Sequence, residues 1–265
     1  MNHSNNRHSA ADMPADMKDK KLYLRIIYRI RHARPTFWLA AVALTLILFV
    51  VFVPSTFWAH LWLSIKKHKV LVSMLLLFCL LAVSLIWSIG QRIDALVFSF
   101  FNTHGHRPQW LDRTMLAITE LGNGIVTIAI ALILFFAVDH QLAYKFILGT
   151  LTLWLIVELM KVSIRRPRPF SRLTDARTVG TPAKGKSFPS GHTSQAFYIA
   201  TLLLQYFHAG IFLTIVLYLV ALLVGITRMY MGMHYPRDVL AGAILGTCWG
   251  FVGVVINSHI FGLLF

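Results

Sequence analysis

The chain has 265 residues, of which 57% are hydrophobic and only 13% charged. Soluble domains carry about 25% charged residues, so this composition excludes an ordinary soluble globular protein and indicates a polytopic helical membrane bundle. Lys and Arg outnumber Asp and Glu by 25 to 10; at this hydropathy the basic excess suits anionic lipid or an anionic substrate, and nucleic acid is the partner it fits least.

Residues 1–20 are polar and rich in Asn, His, Asp and Lys, as a disordered tail would be. Residues 21–34, KLYLRIIYRIRHAR, alternate basic and apolar side chains at roughly helical spacing. They read either as an amphipathic helix on anionic headgroups or as the basic flank of a first span. No small-residue cleavage pattern follows the first apolar run, so a cleaved signal peptide is not expected.

Seven apolar runs of spanning length follow, at 36–54, 69–89, 123–139, 143–160, 191–207, 210–228 and 238–257. Trp38, Trp58, Trp62, Trp87, Trp110 and Trp154 lie at or near run ends, as interfacial anchors do. Cys79 and Cys248 sit inside apolar runs and read as small core hydrophobes. Between 90 and 122 the pattern turns amphipathic and too polar to span, and these stretches are expected along one membrane face, entering the next helix at Gly122–Gly124. The expected organisation is a tail at 1–35, N-terminal spans at 36–89 and a core at 90–265: all-α, a six-helix bundle with an extra N-terminal span.

The turns at 140–142 and 208–209 are short, so their flanking helices are antiparallel neighbours. Loop 161–190 is long and carries eight basic residues and one acid, Asp175. Tracing the chain through these antiparallel spans puts that loop, the start of run 191–207 and the 228–238 connection on one membrane face. Three segments meet there: Lys161 to Arg168-Pro169, Pro189-Ser190-Gly191-His192, and Arg228 to His234 to Asp238.

These residue types suit phosphoryl transfer, which needs a nucleophile, neutralised equatorial oxygens and an acid for the leaving oxygen. His234 is the candidate nucleophile, and Asp238, four residues on, can orient its ring. Ser190 suits a helix N-cap, and Gly191 lets an anion approach backbone N–H groups at a helix start. His192 is the candidate acid–base, and Lys161, Arg168 and Arg228 form a cationic clamp. With one acid in the loop and no carboxylate beside Asp238, neither a metal nor another cofactor is expected. Glu158 reads as a proton carrier or as an ion-pair partner of Lys161 or Arg165, and His104 and His106 as surface residues rather than metal ligands.

The order and spacing of these motifs resemble the type 2 phosphatidic acid phosphatase superfamily, whose pattern is Lys-x6-Arg-Pro, Pro-Ser-Gly-His and Ser-Arg-x5-His-x3-Asp. Thr227 replaces the serine before Arg228; the retained hydroxyl implies at most a shifted phosphate hydrogen bond. The resemblance covers 120–260 well and 90–122 loosely. It implies a metal-independent membrane phosphatase acting on lipid phosphates such as undecaprenyl pyrophosphate, phosphatidylglycerol phosphate or phosphatidic acid. It also implies His234 as nucleophile, Asp238 as its partner, His192 as acid–base, and Lys161, Arg168, Ser190, Gly191 and Arg228 as phosphate-binding. A lipid phosphotransferase with the same phosphohistidine, or a non-enzymatic lipid-phosphate binder or transporter, are the competing readings. The resemblance puts the site at the extracytoplasmic leaflet of the cell membrane, whereas the basic tail favours the cytoplasm.

Overall fold

The computed structural model describes residues 67–103 and 107–260, with side chains as far as Val252. The tail, the 21–34 segment, the 36–54 run, Trp38, Trp58, Trp62, His104 and His106 lie outside the described residues.

Eight α-helices and no strand occur among the described residues: α1 (Lys69–Ser84), α2 (Ser88–Asn102), α3 (Gln109–Thr119), α4 (Gly124–Ile133), α5 (His140–Ile164), α6 (Gly191–Tyr206), α7 (Ile211–Tyr230) and α8 (Pro236–Ile260). The all-helical expectation holds. The run 69–89, however, is not one straight span. The chain leaves α1 at Ser84 and enters α2 after a 97° bend. Across the elbow, Leu85, Ile86 and Trp87 donate their N–H groups back to Ala82, Val83 and Ser84. The bend lets α2 place Asp94, Phe98 and Asn102, spaced four apart on one helical face, into the interior.

Among the described helices, His140–Ser171 and Ile211–Tyr230 are each long and apolar enough to cross a membrane, and the pairs α1–α2 and Gln109–Gly122 with Gly124–Val138 qualify only jointly. α5 begins at His140 and ends at Ile164, beyond both limits expected from run 143–160. Asp139 starts it, its carboxylate accepting the N–H of Gln141 at 2.6 Å and of Leu142 at 3.3 Å. Trp154 sits well inside α5 rather than near its end. Large apolar residues of α1, α4, α5 and α7 face outward, among them Leu80, Ile125, Leu148 and Phe212. So much exposed apolar surface suits lipid rather than water.

The buried centre is α6, nine of whose sixteen residues are buried. Its polar side chains find protein partners: Ser194 donates to the Ser190 carbonyl at 2.9 Å, and Gln195 donates across to Thr150 Oγ1 of α5 at 3.0 Å. α8 lies against α6 at near-contact distance because Gly242, Gly246 and Gly250 face it. A Cβ at those positions would fall 2.7 Å from the Ser190 carbonyl, 2.1 Å from the Ser194 carbonyl and 2.5 Å from Thr201 Cβ. Small residues every four positions are how apolar helices approach closely where lipid supplies no hydrophobic drive. The contact aligns the first turns of the two helices, and Ser190 N–H donates to the Asp238 carbonyl at 3.0 Å. That alignment places the site.

Candidate active site

His234 lies in the five-residue turn between α7 and α8 and is 2% exposed. Gly232 enables the turn: its φ of +82° is left-handed, and a Cβ there would be 2.4 Å from the Arg177 carbonyl. Arg168 Nη1 donates to His234 Nε2 at 3.2 Å. Nε2 therefore carries the lone pair and Nδ1 the proton, since guanidinium can only donate. Nδ1 faces Asp238 Oδ2 at 3.7 Å, an ion-pair separation too long for the hydrogen bond expected from the sequence, and it has no hydrogen-bond partner. The carboxylate is committed elsewhere: Oδ2 accepts the Tyr235 N–H at 2.8 Å and Oδ1 accepts from Arg166 at 2.6 Å. Burial pushes the His234 pKa down to about 4; the nearby Asp238 opposes that, while Arg168 and Arg228 reinforce it. A neutral ring with its lone pair on Nε2 follows.

Arg168, 4% exposed, is held by loop carbonyls. It donates to Gly185 O at 3.1 Å, Lys184 O at 3.0 Å and Met233 O at 3.1 Å. The clamp expected of it is thus also a loop brace, with Nη1 the nitrogen turned to His234. Burial lowers its pKa, opposed by Asp238 and Glu158. Arg228, in the last turn of α7, donates to Thr119 Oγ1 at 2.9 Å, and its buried Nε has no hydrogen-bond partner. Such an orphaned donor suits an anion.

His192 opens α6 and lies within electrostatic reach of Arg228, His234, Lys161 and Arg168. The 3₁₀ turn Glu120–Gly122 packs beneath it; a Cβ on Gly122 would stand 2.6 Å from the His192 carbonyl. Lys161 donates to Glu158 Oε1 at 2.7 Å, so Glu158 takes the ion-pair option rather than standing free. The lysine Nζ also lies 3.9 Å from the position of a Cβ on Gly191. Ser190 occupies the N-cap position, but its hydroxyl accepts from Thr193 Oγ1 at 2.9 Å instead of capping a backbone N–H. The first-turn N–H groups of α6 are thereby left without a side-chain cap. Thr227 is fully buried and its hydroxyl donates back to the Val224 carbonyl at 2.6 Å, so it is not turned toward phosphate as the motif comparison suggested.

The eight residues singled out from sequence therefore sit around one point, at the α5 end, the α6 start and the α7–α8 turn. What sequence reasoning missed is the set of residues behind them. Arg166, a loop cation given no role from sequence, lies largely buried between two carboxylates, pairing with Asp238 and, through Nη2, with Asp94. Asp94 also accepts from Arg237 Nε at 2.8 Å and Arg237 N–H at 3.2 Å. Arg237 Nη1 in turn donates to the Ser84 carbonyl at 2.5 Å. Burial works against the Arg166 charge, but Asp238 and Asp94 outweigh it and its pKa is raised. Arg177, another loop cation given no role from sequence, grips Asp112 with both Nη atoms at 2.9 Å, which pins the loop to α3. A charged residue in an amphipathic stretch, such as Asp94, was the signal available, but nothing in one sequence names its partner. Among the described residues, no three His, Cys, Asp or Glu side chains gather as metal ligands would.

Comparison with known proteins agrees with this geometry. The family profile described as "PAP2 superfamily" matches residues 142–260. The chain is 29% identical over 150 residues to an undecaprenyl-diphosphatase of Sulfolobus acidocaldarius, covering 56% of this chain and 71% of that one. It is 30% identical over 160 residues to the undecaprenyl-diphosphatase BcrC of Bacillus subtilis, covering 59% and 80%. Several other curated relatives are matched over less than half of their own length. Among solved structures, the transmembrane PAP2-type phosphatidylglycerolphosphate phosphatase of Bacillus subtilis superposes with a TM-score of 0.63 at 26% identity, covering 72% of this chain and 96% of that one. With the motifs converging in the same fold, the chain is a multi-pass membrane protein and belongs to the PAP2 superfamily.

Proposed function

We propose that this protein is a membrane lipid phosphatase that hydrolyses a lipid phosphate or pyrophosphate through a phosphohistidine at His234. Undecaprenyl pyrophosphate, phosphatidylglycerol phosphate and phosphatidic acid are the substrate candidates, the first two being of the kinds named for its relatives. The observation that carries the reading is the buried His234 ring with Arg168 Nη1 3.2 Å from Nε2 and Asp238 Oδ2 3.7 Å from Nδ1, an arrangement that suits a neutral ring with its lone pair on Nε2.

In the first step Nε2 attacks phosphorus and the bond from phosphorus to the leaving oxygen breaks. His192, which takes up a proton from solvent when the negative phosphate offsets the cations around it, gives that proton to the leaving oxygen and becomes neutral, and Asp238 offsets the charge that develops on His234. The equatorial oxygens lie against Arg228, Lys161, the Arg168 Nη1 that leaves Nε2, and the uncapped N–H groups at the α6 start. In the second step His192, now neutral, takes a proton from water as its oxygen attacks phosphorus. The P–N bond breaks and inorganic phosphate departs. These cations supply the charge neutralisation for which other phosphatases use metal ions.

The test is a panel of lipid mono- and pyrophosphates assayed for phosphate release with chelator present, alongside acid-labile trapping of labelled phosphate on the chain. The intact protein is expected to turn over with chelator and to trap label, and His234→Ala to do neither. Phosphate release by His234→Ala at the intact rate refutes the nucleophile, and loss of activity with chelator refutes the metal-free route. Release that requires an added alcohol acceptor makes the protein a transferase. We put the site at the extracytoplasmic leaflet, a reading that only the family resemblance supports and the basic tail opposes; reaction of Lys186→Cys with an impermeant thiol reagent in intact cells tests it.

A further inference from the structure

A cavity of about 680 Å³ lies at the α1–α2 elbow, lined by Leu85, Ile86, Ala95, Arg165, Arg166 and Arg172 among others. None of the eight candidate site residues lines it. It sits behind the catalytic centre, and Arg166 is the side chain common to both: it borders the cavity while its Nη1 holds Asp238.

Three properties define what this cavity takes. Its volume is within the roughly 300–1,000 Å³ typical of small-molecule sites. Its rim is cationic, and among the described residues no acid lines it. Arg166 is neutralised by Asp94 and Asp238, but Arg172 has no side-chain hydrogen bond or ion pair among the described residues, and Arg165 spends only its Nε, on the Val162 carbonyl at 3.1 Å. Its wall is apolar, and it continues onto a surface where Ile86, Trp87 and Ile89 are 80%, 66% and 72% exposed. An exposed tryptophan beside arginines and aliphatic side chains is the composition of a membrane interface.

We propose that this elbow cavity is a second lipid site, distinct from the catalytic one, that holds an anionic phospholipid with its headgroup phosphate on Arg165 and Arg172 and its chains against Leu85 and Ile86. A soluble anion would leave the apolar wall wet, and a zwitterionic lipid would bring a cation up to two arginines. The segment that lines the cavity, Ile164–Leu173, also contains Arg168, so an occupant bears on the same stretch of chain that presents Nη1 to His234. The inference stands whatever reaction the catalytic site performs.

Native mass spectrometry of the full chain in neutral detergent, with phosphatidylglycerol or phosphatidylcholine titrated in, tests it. Neither lipid is a phosphomonoester. The intact chain is expected to retain one phosphatidylglycerol in preference to phosphatidylcholine. R165Q/R172Q should weaken that retention roughly 30-fold, each arginine contributing a factor of about five. Ala95→Trp, which fills the cavity from α2, should abolish it while R165Q/R172Q keeps the intact thermal midpoint. Equal retention by the intact chain and R165Q/R172Q overturns the proposal. So does displacement of the lipid by inorganic phosphate or orthovanadate, which would make the cavity part of the catalytic site. Glycerol phosphate binding as tightly as the lipid overturns it too, by leaving the apolar wall without a role.

Discussion

Arg166→Gln should damage catalysis without touching phosphate binding. In the structure both Nη atoms of Arg166 are spent on carboxylates, Asp94 and Asp238, which are 1% and 0% exposed, and its guanidinium stacks 4.2 Å from the Tyr235 ring centre. Removing one partner of a buried ion pair costs about 3–5 kcal/mol. Asp94 keeps Arg237 and Asp238 keeps the Tyr235 N–H, so the loss belongs at about 3 kcal/mol, a fall in the thermal midpoint of roughly 6–12 °C for a chain of this size. Asp238 then loses the contact that fixes its Oδ1, and with it the orientation of His234. Lost outer partners of metal ligands cost about ten- to a hundredfold in affinity or activity; a loss of that order is expected for this orienting contact, and it should appear in kcat with KM unchanged. Arg166→Lys should restore part of the stability and little of the rate, because an ammonium cannot reach two carboxylates with a planar fork. Adding Asp94→Asn to Arg166→Gln should cost less than the sum of the two, since they share one pair. Purified variants, assayed by steady-state kinetics at several lipid concentrations and by thermal unfolding in detergent, give all of these quantities. A kcat equal to that of the intact protein, or a loss confined to KM, would refute Arg166 as a positioning residue.

Three further expectations are narrower. In the unfolded chain His234 takes up a proton as pH falls through about 6.5, whereas the folded ring resists down to about 4. Between those values the unfolded state holds the extra proton, so His234 should remove about 1.4 kcal/mol of stability per pH unit on acidification; unfolding midpoints of His234→Asn from pH 7 to 4 should lack that share, and an identical slope would contradict a buried neutral ring. Gly246→Ala puts a Cβ 2.1 Å from the Ser194 carbonyl, and overpacking of this kind costs about 1–3 kcal/mol. Stability and turnover should fall together, while Gly210→Ala, with open space around its Cβ position but at the N-cap of α7, should cost about 1 kcal/mol at most and leave turnover unchanged. Thr227→Ser should keep kcat and KM, because the Thr227 hydroxyl is bonded to the Val224 carbonyl; a changed KM would show it facing substrate.

Parts of this protein are legible in one dimension because their physics is local. Apolar runs with interfacial tryptophans specify helices in a membrane whatever they pack against. The motif residues could be collected because short turns force antiparallel neighbours, which put the ends of α5 and α7 and the starts of α6 and α8 on one face. Their individual partners were another matter. Ser190 looked like a cap and is bonded to Thr193; Asp238 looked like a hydrogen-bond partner of His234 and is held 3.7 Å away by Arg166 and the Tyr235 N–H.

The sequence by itself determined the helical membrane class and picked out the eight residues that the fold gathers around one point, for which phosphate chemistry is the proposal. Only the tertiary structure decided that the run 69–89 breaks at Ser84. It alone also decided that Asp94 thereby meets Arg166 and Arg237, 72 and 143 residues away. The physical reason is distance along the chain. Periodicity, caps and motif spacing act within a few turns of helix, whereas a buried charge is settled by whichever opposite charge the packed helices bring within about 4 Å, and no local rule names it.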